Sequence, residues 1–107
     1  MLVLVDGSLP TVLAGEIVGH DARTVRQMGW LGVSNGDLLR RAVAAGFTAF
    51  VTADRNVEHQ QNIAKLGLGI IVLIARSNRI EHVQALAPRV VEVLHTLRPG
   101  QVVHVRA

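Results

Sequence analysis

Asp6, Asp37 and Asp54 are the residues whose type and placement could do chemistry in this chain. Leu2-Val3-Leu4-Val5 stops at Asp6-Gly7-Ser8, and Phe50-Val51-Thr52-Ala53 stops at Asp54-Arg55-Asn56. Ile70-Ile71-Val72-Leu73-Ile74 gives way through Ala75 to Arg76-Ser77-Asn78, and Ala22-Arg23-Thr24-Val25 leads through a loop to Ser34-Asn35-Gly36-Asp37. If the apolar runs are parallel strands, these polar clusters share one rim of one sheet, where open α/β folds bind ligands. Three carboxylates there make an oxygen donor set suited to a hard cation such as Mg²⁺ or Mn²⁺. Such an ion orients a phosphodiester and lowers the pKa of a bound water. Asn35 and Asn56 would support the water shell. Arg55, Arg76 and Arg79 lie beside the rim with guanidinium forks that match phosphate oxygens, and Ser77 and Asn78 stand with them.

Each residue also has a structural reading. Ser34 and Asp37 have the spacing of a capping box, as do Asn78 and Glu81, and Asn56 could cap the helix after it. Asp6 could stabilise the start of the first helix through its dipole. Asp6 and Asp54 together are harder to explain this way, because both terminate central strands. The five histidines are scattered without metal-ligand spacing. Gln60-Gln61-Asn62 could line the rim, an interface or a solvated face. Trp30, the only Trp, sits in an apolar loop where core packing competes with a binding role.

The elements that must position these residues alternate strand and helix. After strand 2–5, Ser8 reads as a helix cap with Pro10 in the first turn, and Leu9, Val12, Leu13 and Ile17 mark one face. A short strand at 22–25 and a glycine-punctuated loop at 26–33 follow. The second helix runs from about 35 to 45 with Leu38, Leu39, Ala42 and Val43 inward, and Gly46 ends it. Strand 48–53, a polar helix over 56–66 and strand 69–74 come next. Ile80, Val83, Ala87, Val90, Leu94 and Leu97 form one helical face, which Pro88 kinks or divides. Arg98-Pro99-Gly100 is a turn before a final edge strand, 102–105. This pattern predicts a single α/β domain over 1–107, with a mostly parallel five-stranded sheet covered on both faces.

Composition narrows the functional classes. Half of the 107 residues are hydrophobic and 3% aromatic, so the core is aliphatic. The absence of cysteine excludes a disulfide framework and cysteine chemistry, and fits a reducing, cytoplasmic setting. The longest apolar stretch, 68–75, is too short to span a bilayer, and the first apolar run reads as a strand rather than a signal peptide. Ten of the eleven basic residues are Arg, and the formal charge is +3, a modest excess compatible with a polyanion partner. The sequence contains no GxGxxG, GxxxxGK[ST] or GxSxG motif.

The same clusters resemble a known family, the DUF5615 (Mut7-C-like) group of PIN-like domains. The resemblance spans nearly the whole chain. It is carried by Leu4-Val5-Asp6-Gly7-Ser8-Leu9-Pro10, Gly19-His20, Met28-Gly29-Trp30 with Gly32, and Asn35-Gly36-Asp37-Leu38-Leu39. Val51-Thr52-Ala53-Asp54-Arg55-Asn56, Gln60-Gln61-Asn62, Arg76-Ser77-Asn78-Arg79 and Leu97-Arg98-Pro99-Gly100 complete it. It implies a PIN-like three-layer sandwich, a Mg²⁺- or Mn²⁺-dependent ribonuclease, and the toxin component of a toxin–antitoxin pair. Asp6 and Asp54 match the strand-end acids and Asp37 the acid of the second helix. The chain departs from the family pattern in two places, with Gly7 where an acid is common and Asn56 where a further Asp is common.

The leading expectation is therefore a metal-dependent ribonuclease with Asp6, Asp37 and Asp54 as catalytic and metal-holding residues, acting on RNA and held by an antitoxin protein. The alternative is a binding module that meets RNA or a protein partner through its Arg-rich rim without catalysis. A third possibility is a homodimer that self-associates through Trp30 and the final strand.

Overall fold

Successive strand residues point into two different cores, and this alternation builds the molecule. The computed structural model describes residues 1–77 and 79–107. Its strands are β1 (Leu2–Val5), β2 (Asp21–Thr24), β3 (Ala49–Thr52), β4 (Gly69–Ile74) and β5 (Val102–Arg106), in the spatial order β2-β1-β3-β4-β5. Every neighbouring pair is parallel, so the sheet is wholly rather than mostly parallel. Helical segments are α1 (Leu13–Glu16), α2 (Asn35–Ala44), α3 (Val57–Gln60), α4 (Ile63–Leu66), α5 (Ile80–Gln84) and α6 (Ala87–Leu94).

Val3, Val5, Val51, Ile71, Leu73 and Val105 face one core, closed by Leu13 of α1, Val83 of α5, and Val90 and Leu94 of α6. Leu4, Phe50, Ile70 and Val72 face the other, closed by Leu38 and Leu39 of α2, Val57 of α3 and Ile63 of α4. Strands buried on both faces read as continuous apolar runs, which is why β3 and β4 were the clearest elements in the sequence. The result is a three-layer α/β sandwich of the kind expected of a PIN-like domain. The chain passes from β3 to β4 over the second core and from β4 to β5, in the same direction along the sheet, over the first. The last crossover therefore has the opposite hand to the other three, against the usual uniformity of βαβ units. α1 is one turn long. It leaves much of its sheet face open, and α5 and α6 cover that face.

Several helices differ from the sequence reading. α1 begins at Leu13 rather than after Ser8, because residues 10–15 make tight i→i+3 bonds such as Leu13 N–H to Pro10 O at 3.1 Å. The helix expected over 56–66 is two segments. Gln61 is extended between them, and Asn62 caps α4 by accepting from Lys65 N–H at 3.3 Å. The final helix divides into α5 and α6, and Pro88 falls in the first turn of α6, where its missing N–H costs nothing. Val12, Val43 and Ile80, expected to face inward, are exposed. β5 is an edge strand, as expected. No helix among the described residues is long and apolar enough to cross a membrane.

Candidate functional site

Because all strands run the same way, the residues after β1, β3 and β4 lie on one rim. β1 and β3 are neighbours, yet the chain leaves β1 toward β2 on one side and β3 toward β4 on the other. This reversal of strand order marks the place at which doubly wound sheets put their ligand crevice. Asp6 directly follows β1, and its N–H extends the ladder by donating to Val51 O at 2.9 Å. Asp54 lies just beyond the end of β3. Both aspartates are half-buried.

One buried hydroxyl joins them. Thr52, 0% exposed, donates from Oγ1 to Asp6 Oδ2 at 2.7 Å and accepts from Asp54 N–H at 3.0 Å. Ser8 Oγ donates to the same Asp6 oxygen at 2.7 Å and accepts from Ala53 N–H at 3.3 Å. Gly7 N–H donates to Asp6 Oδ1 at 2.8 Å. Asp54 accepts from Asn56 N–H at 2.9 Å and from Asn35 Nδ2 at 3.2 Å. Two hydroxyls and an N–H thus donate to Asp6 and two N–H groups to Asp54, and these bonds hold the carboxylates in place. Ser8 serves this network instead of capping a helix.

Asp37 stands apart. It is exposed on the first turn of α2, ion-paired with Arg40, and accepts from Ser34 Oγ at 3.5 Å. A helix turns about 100° per residue, so Asn35 and Asp37 are separated by roughly 200° around α2. The helix can present only one of them to the crevice, and it presents Asn35. Among the described residues no group of three or more His, Cys, Asp or Glu is placed to hold a metal ion. The expected three-carboxylate set is thus not assembled. What remains is a set of two carboxylates with the Asn35 amide, all oxygen chemistry. Mg²⁺ uses one or two carboxylates and retains waters, so this smaller set fits such an ion.

The other expected residues fall as follows. The Ser34 side chain makes no cap bond to α2, and the Asn56 side chain makes none to α3. Arg55 is exposed beside Asp54. Arg76 lines a separate cleft between the strand ends and α5–α6. Ser77 Oγ hydrogen-bonds His82 Nδ1 at 2.7 Å and accepts from Arg79 N–H at 3.1 Å. Arg79 is within 3.8 Å of Glu81. Asn78, and with it the proposed Asn78–Glu81 cap, lies outside the described residues. The Gln61 amide lies against Gly36 at the start of α2, where an added Cβ would meet its Oε1 at 3.3 Å. Part of the polar run therefore borders the rim. Trp30 packs edge-on to Phe47 with ring centres 6.1 Å apart, against the second core.

Sequence reasoning missed Thr52 and misassigned Ser8. The available signal was a hydroxyl residue in the last position of a buried strand and another two residues after an acid. Comparison with family models, curated proteins and solved structures finds no match to this chain.

Proposed function

We propose that this protein is a PIN-like, metal-dependent ribonuclease whose site is built on Asp6 and Asp54. The observation that supports this reading is the pair of aspartates at the strand-order reversal, where the buried Thr52 hydroxyl bonds both the Asp6 carboxylate and the Asp54 backbone N–H. Asp6 and Asp54 would hold Mg²⁺ or Mn²⁺, and Asn35 would orient a water of its shell. A bound ion of this kind polarises a phosphodiester and makes an attacking hydroxide available near neutral pH. The chain itself supplies the ligands, holds them through Thr52 and Ser8, and offers the exposed Arg55 fork to phosphate oxygens. Asp37 has no part in the proposed ion site. Action as a toxin restrained by an antitoxin protein follows from the family resemblance and belongs to the same proposal.

The test is cleavage of a mixed-sequence RNA with Mn²⁺, comparing wild type with Asp54→Asn. Cleavage that requires the metal and is abolished by the substitution supports the reading. Cleavage at wild-type rate in the variant defeats it.

A second reading is favoured by the pairing of Asp37 with Arg40, and by Gly7 and Asn56, which leave the rim less acidic. In it the same rim binds RNA or a protein partner without catalysis. It predicts RNA binding that weakens with salt and persists in chelator and in Asp6→Asn.

A further inference from the structure

Beside the acidic crevice, further along the same rim, is a second cleft of about 440 Å³. It lies where β4 and β5 end against α5 and α6, and its lining includes Arg76, Arg89 and Arg106. These three come from different parts of the fold: the loop after β4, the first half of α6, and the end of β5, where Arg106 is in register with Ile74. Among the described residues none of the three is ion-paired. The one carboxylate side chain in the lining, Glu81, lies near Arg79. His82 also lines the cleft, with Nδ1 engaged by Ser77 Oγ.

We propose that this cleft is an anion site that takes the phosphate of a nucleotide. Three exposed arginines lining one cleft gather positive charge there, which a bound anion would offset. A phosphate, with three acceptor oxygens and a charge near −2, matches that set better than a two-oxygen carboxylate. The cleft is larger than a phosphate needs and falls within the size range of small-molecule sites, and Ala85 and Leu86 give it an apolar wall for the rest of the ligand. Two strand spacings, about 10 Å, separate it along the rim from the β1–β3 crevice. The phosphate is therefore a monoester, carried by a free mononucleotide or by the phosphorylated end of an RNA strand that extends toward the acids. This site requires no metal and stands whether or not the acidic crevice cleaves RNA.

The experiment is a calorimetric titration in chelator with adenosine monophosphate, and separately with a short 5′-phosphorylated oligouridylate. The proteins are wild type, Arg89→Gln, Arg106→Gln and, as a control on the far edge strand, Asp21→Asn. The expected result is saturable binding in wild type, weakened about tenfold or more in both arginine variants and unchanged in Asp21→Asn. If the oligouridylate also binds and displaces the mononucleotide, the source is an RNA strand. If only the mononucleotide binds, the source is a free nucleotide. Either result supports the anion site. No saturation with either probe, or binding untouched by both arginine substitutions, would overturn it.

Discussion

Thr52 is the residue on which the acidic crevice turns. Its hydroxyl satisfies Asp6 and the Asp54 backbone together, so Thr52→Val, nearly identical in shape, removes both bonds and leaves a part-buried N–H unpaired. The expected cost is about 1–3 kcal/mol in urea unfolding. Because partners that orient metal-holding groups matter to affinity, Mn²⁺ binding should also weaken about 10–100-fold. The Asp37–Arg40 pair is different. Both side chains are well exposed, so Arg40→Gln should change stability by less than about 1 kcal/mol and leave Mn²⁺ binding unchanged. Asp6 and Asp54 were legible in the sequence because each follows an apolar run. Thr52 was not, because its role depends on β1 and β3 being neighbours, which brings together residues 46 apart in the chain. His20 adds a pH dependence. Partial burial, then the chain's terminal ammonium and His95, holds its pKa below the ordinary 6.5. Folded His20 therefore gives up its proton more readily than unfolded His20, and stability present above 6.5 is lost as pH falls below it. Urea midpoints measured on either side of that value should differ in wild type, and the difference should shrink in His20→Gln.

At the scale of elements, periodicity located helices well and their breaks poorly. The buried face Val83, Ala87, Val90 and Leu94 was visible, and Pro88 correctly announced a division, because a ring without an N–H belongs in a first turn. The break at Gln61-Asn62 was hidden. Asn62 can either continue a helix or cap a new one, and only the docking of α4 decides between them. That docking shows at Gly100, the turn before β5. Its φ is +81°, and an added Cβ would sit 3.1 Å from the Ala64 backbone in α4. Gly100→Ala should therefore cost more than the roughly 1–2 kcal/mol of the backbone strain alone, as read from the unfolding midpoint. The hand of the last crossover was not legible either. It depends on which face of the sheet α5 and α6 cover, and they pack on the same side as α1.

At the scale of the whole molecule, two aliphatic cores hold a parallel sheet whose rim carries two adjacent groups of residues of opposite charge. One is lined by carboxylates at the β1–β3 reversal, the other by arginines at the β4–β5 end. The fold class was legible because strands buried on both faces give unbroken apolar runs. The partition of the rim was not, since it depends on which strands are neighbours. Phe50, fully buried in the centre of β3, anchors the second core. Phe50→Ala should cost about 3–5 kcal/mol and lower the unfolding midpoint. The most direct test of the two-carboxylate site is a calorimetric Mn²⁺ titration of wild type, Asp54→Asn and Asp37→Asn. Saturable binding in wild type and in Asp37→Asn, lost in Asp54→Asn, is the predicted result. Absence of saturation in wild type at millimolar metal, or loss of binding in Asp37→Asn, would contradict it.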